Sequence, residues 1–390
     1  QFAGVITNGS AGLVVVEANK LRLENGGKVT SDTSYFTTGN AGSITVDADS
    51  SVVITNPVNR SQDAPLSYIS SQSLGTGEAG QVAVTAPDIS IENGSLISSL
   101  SIDKGDAGSI QVQTDNLKLV NGGFILGSTD GNGEGGPITV NVNGKLSITG
   151  VDTVESKSSA IKSEAKSDGD GGNIQVTVKD LYIGDGGTIS AASDANSNAG
   201  TVTINTENEI HLSNSSIETS SEQAAGGNII VNVGKALKLD NSNIITNAKG
   251  ATPQDKGGDI SIGQTNSPDL LYMSKSQILA QANAGNGGAI SLKARQMLIT
   301  PDSVINADSR KAISGEIKKT GPEVDLSASI IRVEPEFLDI SQLLEKNCYI
   351  ETLADKSSLT VNKQNKLSRA PAAEQKKINH HEFKAGECGK

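Results

Sequence analysis

Tryptophan is absent from the 390 residues, cysteine and methionine occur twice each, and phenylalanine and tyrosine five times each. So few large side chains cannot fill the round cores that a chain of this length would ordinarily build. Cations are scarce too: 32 Lys and Arg against 44 Asp and Glu leave a net charge of −12. Nucleic acid is therefore not an expected partner, because phosphate neutralisation needs clustered Lys and Arg. No apolar run approaches the roughly 20 residues of a membrane-spanning helix, so no transmembrane segment is expected. The opening "QFAGVITNGS" has neither an initiating Met nor a signal peptide. It reads as a mature product or a fragment. Phosphate loops, zinc spacings and nucleophile elbows are missing, so neither catalysis nor a cofactor is expected.

Glycine and short apolar alternation are what the chain does have. Hydrophobic residues make up 35% of it and are evenly spaced, which suits an elongated body with a thin continuous core. A glycine followed by alternating apolar residues recurs at Gly12, Gly42, Gly80, Gly108, Gly136, Gly172, Gly200, Gly227, Gly258, Gly288 and, more weakly, Gly315. Seven of the ten spacings fall between 27 and 30 residues. Each repeat has a first period-2 strand ("SITVDA", "NIQVTV", "NIIVNV") and a second (Leu21/Leu23, Ile89/Ile91, Leu117/Leu119, Leu181/Ile183, Ile210/Leu212, Leu237/Leu239). A third follows a tight turn at Val29, Ile97, Ile125, Ile189, Ile217, Ile244, Ile278 and Val304. Such a unit cannot stand alone, but copies stacked in parallel share one core. The period of 2 excludes helices from the repeats. The predicted fold is all-β, a right-handed parallel β-helix of about ten coils with three short strands per coil and a C-terminal cap containing a short helix. Residues 1–314 form the repeats, 315–355 a degenerate last coil and cap, and 356–390 a basic tail.

The turn before the third strand carries Asn25, Asn56, Asn93, Asn121, Asp185, Asn214 and Asn241, with Gly150, Lys275 and Pro301 as variants. Asparagine tolerates the left-handed backbone there, and stacked amides can bond along the axis. An exposed Asn row could instead bind sugar. Two repeats are lengthened at this corner, by "NPVNRSQDAPLS" (56–67) and "GVDTVESKSSA" (150–160). These are either tolerated surface variation or loops projecting from one binding side of a rod. A third long loop, "QTNSPDL" (264–270), belongs to a different corner. The Asp/Gly clusters "DKGDAG", "GNGEGG" and "SDGDGG" lie in turns and lack the nine-residue recurrence of calcium-binding β-rolls. His211 is expected to be a solvated outward residue. A polysaccharide-cleaving β-helix would require acids of successive coils beside a basic residue.

Beyond Gly315 the pattern degrades. Phe337, Ile340, Leu343 and Leu344 follow Pro335 at helical spacing and predict a cap helix over about 336–347, covering the open end of the β-helix. "SSLTVNK" (357–363) could add an edge strand. From Lys356 to Lys390 there are eight Lys and Arg against three Glu, which predicts a basic tail, flexible or partner-dependent. In an exported protein Cys348 and Cys388 suggest one disulfide, while with His380 and His381 they could form a metal site.

The repeat "GGNIxVxxxxLxLxNGxxIxT", with the ending "FLDISQLLEKNC…SSLTV…SRAP", resembles the passengers of filamentous haemagglutinin-type exoproteins of the two-partner secretion pathway. It departs from them where "NKQNKLSRAP" replaces a glycine-rich segment and where the N-terminal secretion domain is missing. The resemblance implies a secreted or cell-surface adhesin, threaded outward through an outer-membrane β-barrel transporter as its partner. It also implies that Cys348 and Cys388 close a C-terminal anchor loop. A host receptor, a surface glycan or copies of the chain itself would be further partners. The alternative is a structural protomer that stacks end to end into extracellular filaments.

Overall fold

The computed structural model describes residues 8–194 and 197–324, which form an all-β parallel solenoid of eleven coils. No helix occurs among the described residues. A 10-stranded sheet holds the third segment of successive coils and a 17-stranded sheet holds the first two. Every strand pair within these sheets is parallel, and each coil pairs with the coils before and after it. The residues form strands because each segment carries apolar side chains on one face only, and stacking is the arrangement that buries those faces. The predicted cap helix (Phe337, Ile340, Leu343, Leu344), the strand at 357–363, the basic tail and both cysteines, Cys348 and Cys388, lie outside the described residues.

Two details differ from the sequence-based expectation. The first two segments are often one strand: Ile138–Thr149, Ile174–Gly184 and Val202–Ser213 run through a bulge without a break. Elsewhere they separate, as Val82–Thr85 and Asp88–Glu92 do around Pro87, which has no N–H for the ladder. Val304 is also not a core residue. It pairs with Gln277 and is exposed, while Ile305 takes the inward register beside Ile278. A one-residue slip turns a side chain to the opposite face, so the wrong aliphatic of an adjacent pair is easily chosen.

The core is a wedge. Beside the Asn turn, Ile97, Ile125, Ile161, Ile189, Ile217 and Ile244 of the third segment are fully buried among residues such as Leu119, Ile148, Ile183 and Leu239. Two residues further along the same strands the inward positions are Ser99, Gly127, Ser163, Ala191, Thr219 and Thr246. Here the recurrent glycines close against the third segment. A Cβ built on Gly227 would stand 1.9 Å from the carbonyl oxygen of Gly200, and one on Gly258 1.9 Å from that of Gly227. The small hydroxyl residues fasten this narrow end. Ser99 donates to the Gly80 carbonyl (2.9 Å) and accepts from the Gly108 N–H (2.8 Å), tying the first residue of its coil to that of the next. Thr219 and Thr246 donate to Gly227 and Gly258 (both 2.6 Å).

Candidate functional site

The Asn corner is built from the backbone outward. Asn25, Asn93, Asn121, Asp185, Asn214 and Asn241 hold φ between 45 and 55°. Lys275 occupies the same position at 49° and Gly150 at 80°. Asn and Asp adopt this left-handed conformation at lower energy than other side-chain-bearing residues. Side-chain amides bond to each other along the axis in two places, Asn121 Nδ2 to Asn93 Oδ1 (3.3 Å) and Asn241 Nδ2 to Asn214 Oδ1 (2.7 Å), and Asn93 Nδ2 donates to the Asn56 carbonyl of the preceding coil (3.0 Å). Elsewhere the corner is held by stacked backbone, as in the Asp185 N–H to the Ser213 carbonyl (3.1 Å).

Asn56 departs from this row. Its φ is not positive and it is buried. Its Oδ1 accepts from the Ser67 N–H (2.9 Å), closing the base of the first insertion, and its Nδ2 donates to Ser95 Oγ (2.9 Å). The insertion removes the tight turn from that coil, so the asparagine there joins loop ends instead of turning a corner.

Behind the corner runs a second ladder that the apolar pattern does not reveal. The residue before each third segment is Ser or Gly: Ser67, Ser95, Gly123, Ser159, Gly187, Ser215, Ser242 and Ser276. Ser242 Oγ accepts from the Ser215 N–H (3.2 Å) and donates to the Asp240 carbonyl (2.7 Å). Ser276 Oγ repeats both contacts one coil on, with the Ser242 N–H (3.1 Å) and the Ser274 carbonyl (2.6 Å). The recurrence of "NS" and "NGS" was the available signal.

The two insertions do not simply project. The first lies over Gly26 and Gly94, where added Cβ atoms would meet Pro65 at 2.9 Å and Arg60 Nη2 at 2.5 Å. The second lies over Gly122, where a Cβ would meet that of Asp152 at 2.5 Å. The insertions, 92 residues apart in sequence, meet in a buried ion pair. Arg60 donates through Nη1 to Asp152 Oδ1 (3.1 Å) and through Nη2 to Asp152 Oδ2, and Nη2 also reaches Glu155 (3.4 Å). The Arg60 and Asp152 side chains are 2% and 4% exposed. Burial alone would raise the Asp152 carboxyl. The Arg60 hydrogen bond and charge, with the N–H groups of Val154 and Glu155, hold it below the ordinary carboxylate range. Arg60 Nε has no partner among the described residues. These loops therefore form a clasp over the intervening turns.

A groove of about 490 Å³ lies beside the clasp on the outer face of the 10-stranded sheet. Leu66 and residues 155–158 of the two insertions form its rim. Leu96, Phe124 and Leu126 form its apolar floor, and Lys162, Glu164, Lys166 and Glu218 its polar side. The lysines are neutralised: Lys157 by Glu155 (2.7 Å), Lys162 by Glu164 (3.3 Å) and Lys166 by Asp130 (2.7 Å). Glu218 has no ion-pair or hydrogen-bond partner among the described residues, and burial together with the nearby Glu164 pushes its carboxyl upward, against Lys162 and Lys249. Glu164 and Glu218 stand two coils apart, with Ser190 and Ala192 between them, so acids of successive coils do not align here. The outward row of Glu164 continues through Ala192, Ser220 and Asn247 to Gln281, at a second, open hollow.

Other candidates have structural roles. Asp106 and Asp170 of the Asp/Gly loops accept from the N–H groups of Glu134 (2.8 Å) and Asn198 (2.7 Å) in the following coil. The 264–270 loop sits between the first two segments, away from the clasp, where Asn232 Oδ1 accepts the Thr265 N–H (3.2 Å). His211 packs edge-on to Tyr182, with ring centroids 5.4 Å apart. Compared with protein-family models, curated proteins and solved structures, the chain matches none.

Proposed function

We propose that the chain is the rigid stalk of a secreted or cell-surface adhesin of the two-partner secretion type. The observation that carries this reading is the unbroken stacking of eleven coils, each tied to the next by strand pairing, a glycine wall and an Asn/Ser corner. Ten intervals of about 4.8 Å make a spacer on the order of 50 Å. Successive docking of coils on those already folded would favour outward movement through a β-barrel transporter. Cys348 and Cys388 would close the anchor that retains the stalk. Electron microscopy of the purified chain should show single short rods; fibres at modest concentration would replace the stalk with a filament protomer. On cells that export the protein, Cys388→Ser should shift it from the cell-bound to the released fraction, and unchanged retention would remove the anchor from the proposal.

A further inference from the structure

The groove beside the clasp is a concavity of about 490 Å³ shared between the two insertions and the 10-stranded sheet. Its floor, rim and polar side come from both insertions and from third segments of several coils. We infer that it binds an oligosaccharide free of acidic groups, laid along the outer face of the 10-stranded sheet, with a hydroxyl or amino group of the sugar donating to Glu218.

Three features select this ligand. The first is charge. Every lysine on the groove already faces a carboxylate, whereas Glu218 has no cation or hydrogen-bond donor within bonding distance among the described residues. The unanswered requirement is therefore for a donor or a cation, and an anionic chain is disfavoured. The second is the floor. Phe124 flanked by Leu96 and Leu126 offers an apolar platform to the C–H face of a pyranose, while Glu164 and Lys162 supply the hydrogen-bonding groups that sugars require. The third is what the surface lacks for a peptide. The site lies on a sheet face whose backbone groups are engaged with neighbouring coils on both sides, so an extended peptide could not add as a strand. The outward positions recur at about 4.8 Å, one coil at a time, which suits a ligand that is itself a linear repeat. Residues 155–158 overhang this lane, and the Arg60–Asp152 pair holds that overhang in place.

This inference does not depend on export or anchoring and is tested with the purified full chain. Calorimetric titration would use cellohexaose (neutral), hexaglucosamine (cationic) and hexagalacturonate (anionic). Saturable binding of the neutral or cationic hexamer, with hexagalacturonate weaker, is expected. Glu218→Gln should weaken hexaglucosamine by about tenfold or more, the scale of one lost charge-assisted bond. Phe124→Ala should weaken both binding probes, by about tenfold for a lost aromatic platform. Both side chains point outward, and unchanged circular dichroism and thermal midpoint would establish that each variant is folded. Absence of saturable binding by both non-acidic hexamers, preference for hexagalacturonate, or affinities indifferent to both substitutions would overturn the assignment.

Discussion

One corner of the solenoid is built in two ways. Where the insertions lie, it turns on Asn25-Gly26, Asn93-Gly94, Asn121-Gly122 and Asp185-Gly186, each with two successive positive φ angles. In the seventh to ninth coils it turns on Asn214-Ser215, Asn241-Ser242 and Lys275-Ser276, with one positive φ and one residue fewer. The glycine turns leave room for loops to fold over them, and Gly94 and Gly122 are buried beneath the clasp. The serine turns are uncovered and close on themselves through the inner hydroxyl ladder. Identical stacking physics thus supports a decorated half and a plain half. The glycine at the second position of the turn is needed for its backbone angle and also for the space above it.

Breaking the clasp should produce the largest contrast between the halves. Arg60→Ala leaves Asp152 buried without its partner, and destabilisation of about 3–5 kcal/mol is expected. Urea unfolding would measure it, with protease nicking concentrated in 57–66 and 151–158 while the later coils stay protected. Replacing the pair together, Arg60→Met with Asp152→Leu, should recover most of the loss, as apolar substitutes for buried ion pairs often do.

Acid should act on the same contact more gently. The folded Asp152 carboxyl is lowered, so its contribution is fully present above its ordinary value of about 3.9 and is lost as pH falls through the lowered folded value. Glu218 has the opposite sign. Its carboxyl is raised in the folded state, so its burial opposes folding at neutral pH and ceases to do so as it protonates. Limited proteolysis along an acid titration should therefore open the clasp before the plain coils, and Asp152→Asn should remove most of that pH dependence.

Paired glycine substitutions sharpen the comparison further. Gly122→Ala and Gly186→Ala share the strain of a positive φ, roughly 1–2 kcal/mol. Only at Gly122 does the new Cβ meet Asp152 at 2.5 Å; at Gly186 the nearest atoms lie at 3.3 Å. The first should therefore be the more destabilising by about 1–3 kcal/mol, and equal thermal midpoints would show that the clasp yields freely. In the plain half, Ser242→Ala removes the acceptor for the Ser215 N–H and should cost about 1–3 kcal/mol in chemical unfolding. Lys275→Gly should have the smallest effect, a stabilisation of roughly 0.5–1 kcal/mol, as the left-handed position is given to the residue that holds it without strain.

Much of this was legible in the one-dimensional text. Period-2 alternation of Ile229, Val231 and Val233 could only be strand, and a glycine every 27 to 30 residues in most repeats could only be stacked copies. The asparagines marked a corner because few other residues hold φ near 50°. Register at frayed coils was less readable: Val304 and Ile305 are both aliphatic, and only pairing with Gln277 and Ile278 chooses between them.

The candidate groove was beyond reach of the sequence. Leu66, Phe124, Glu155 and Glu218 belong to separate repeats, and nothing local to any of them marks it as part of a site. Likewise Arg60 and Asp152 look like ordinary loop charges until two insertions 92 residues apart are laid across the same turns. Sequence alone determined the solenoid, because propensity, periodicity and turn chemistry are short-range and repeat in every coil. Only the tertiary structure decided which outward residues share a surface and which loop charges are withdrawn from water. Those properties depend on stacking order and on how far each insertion reaches across its neighbours.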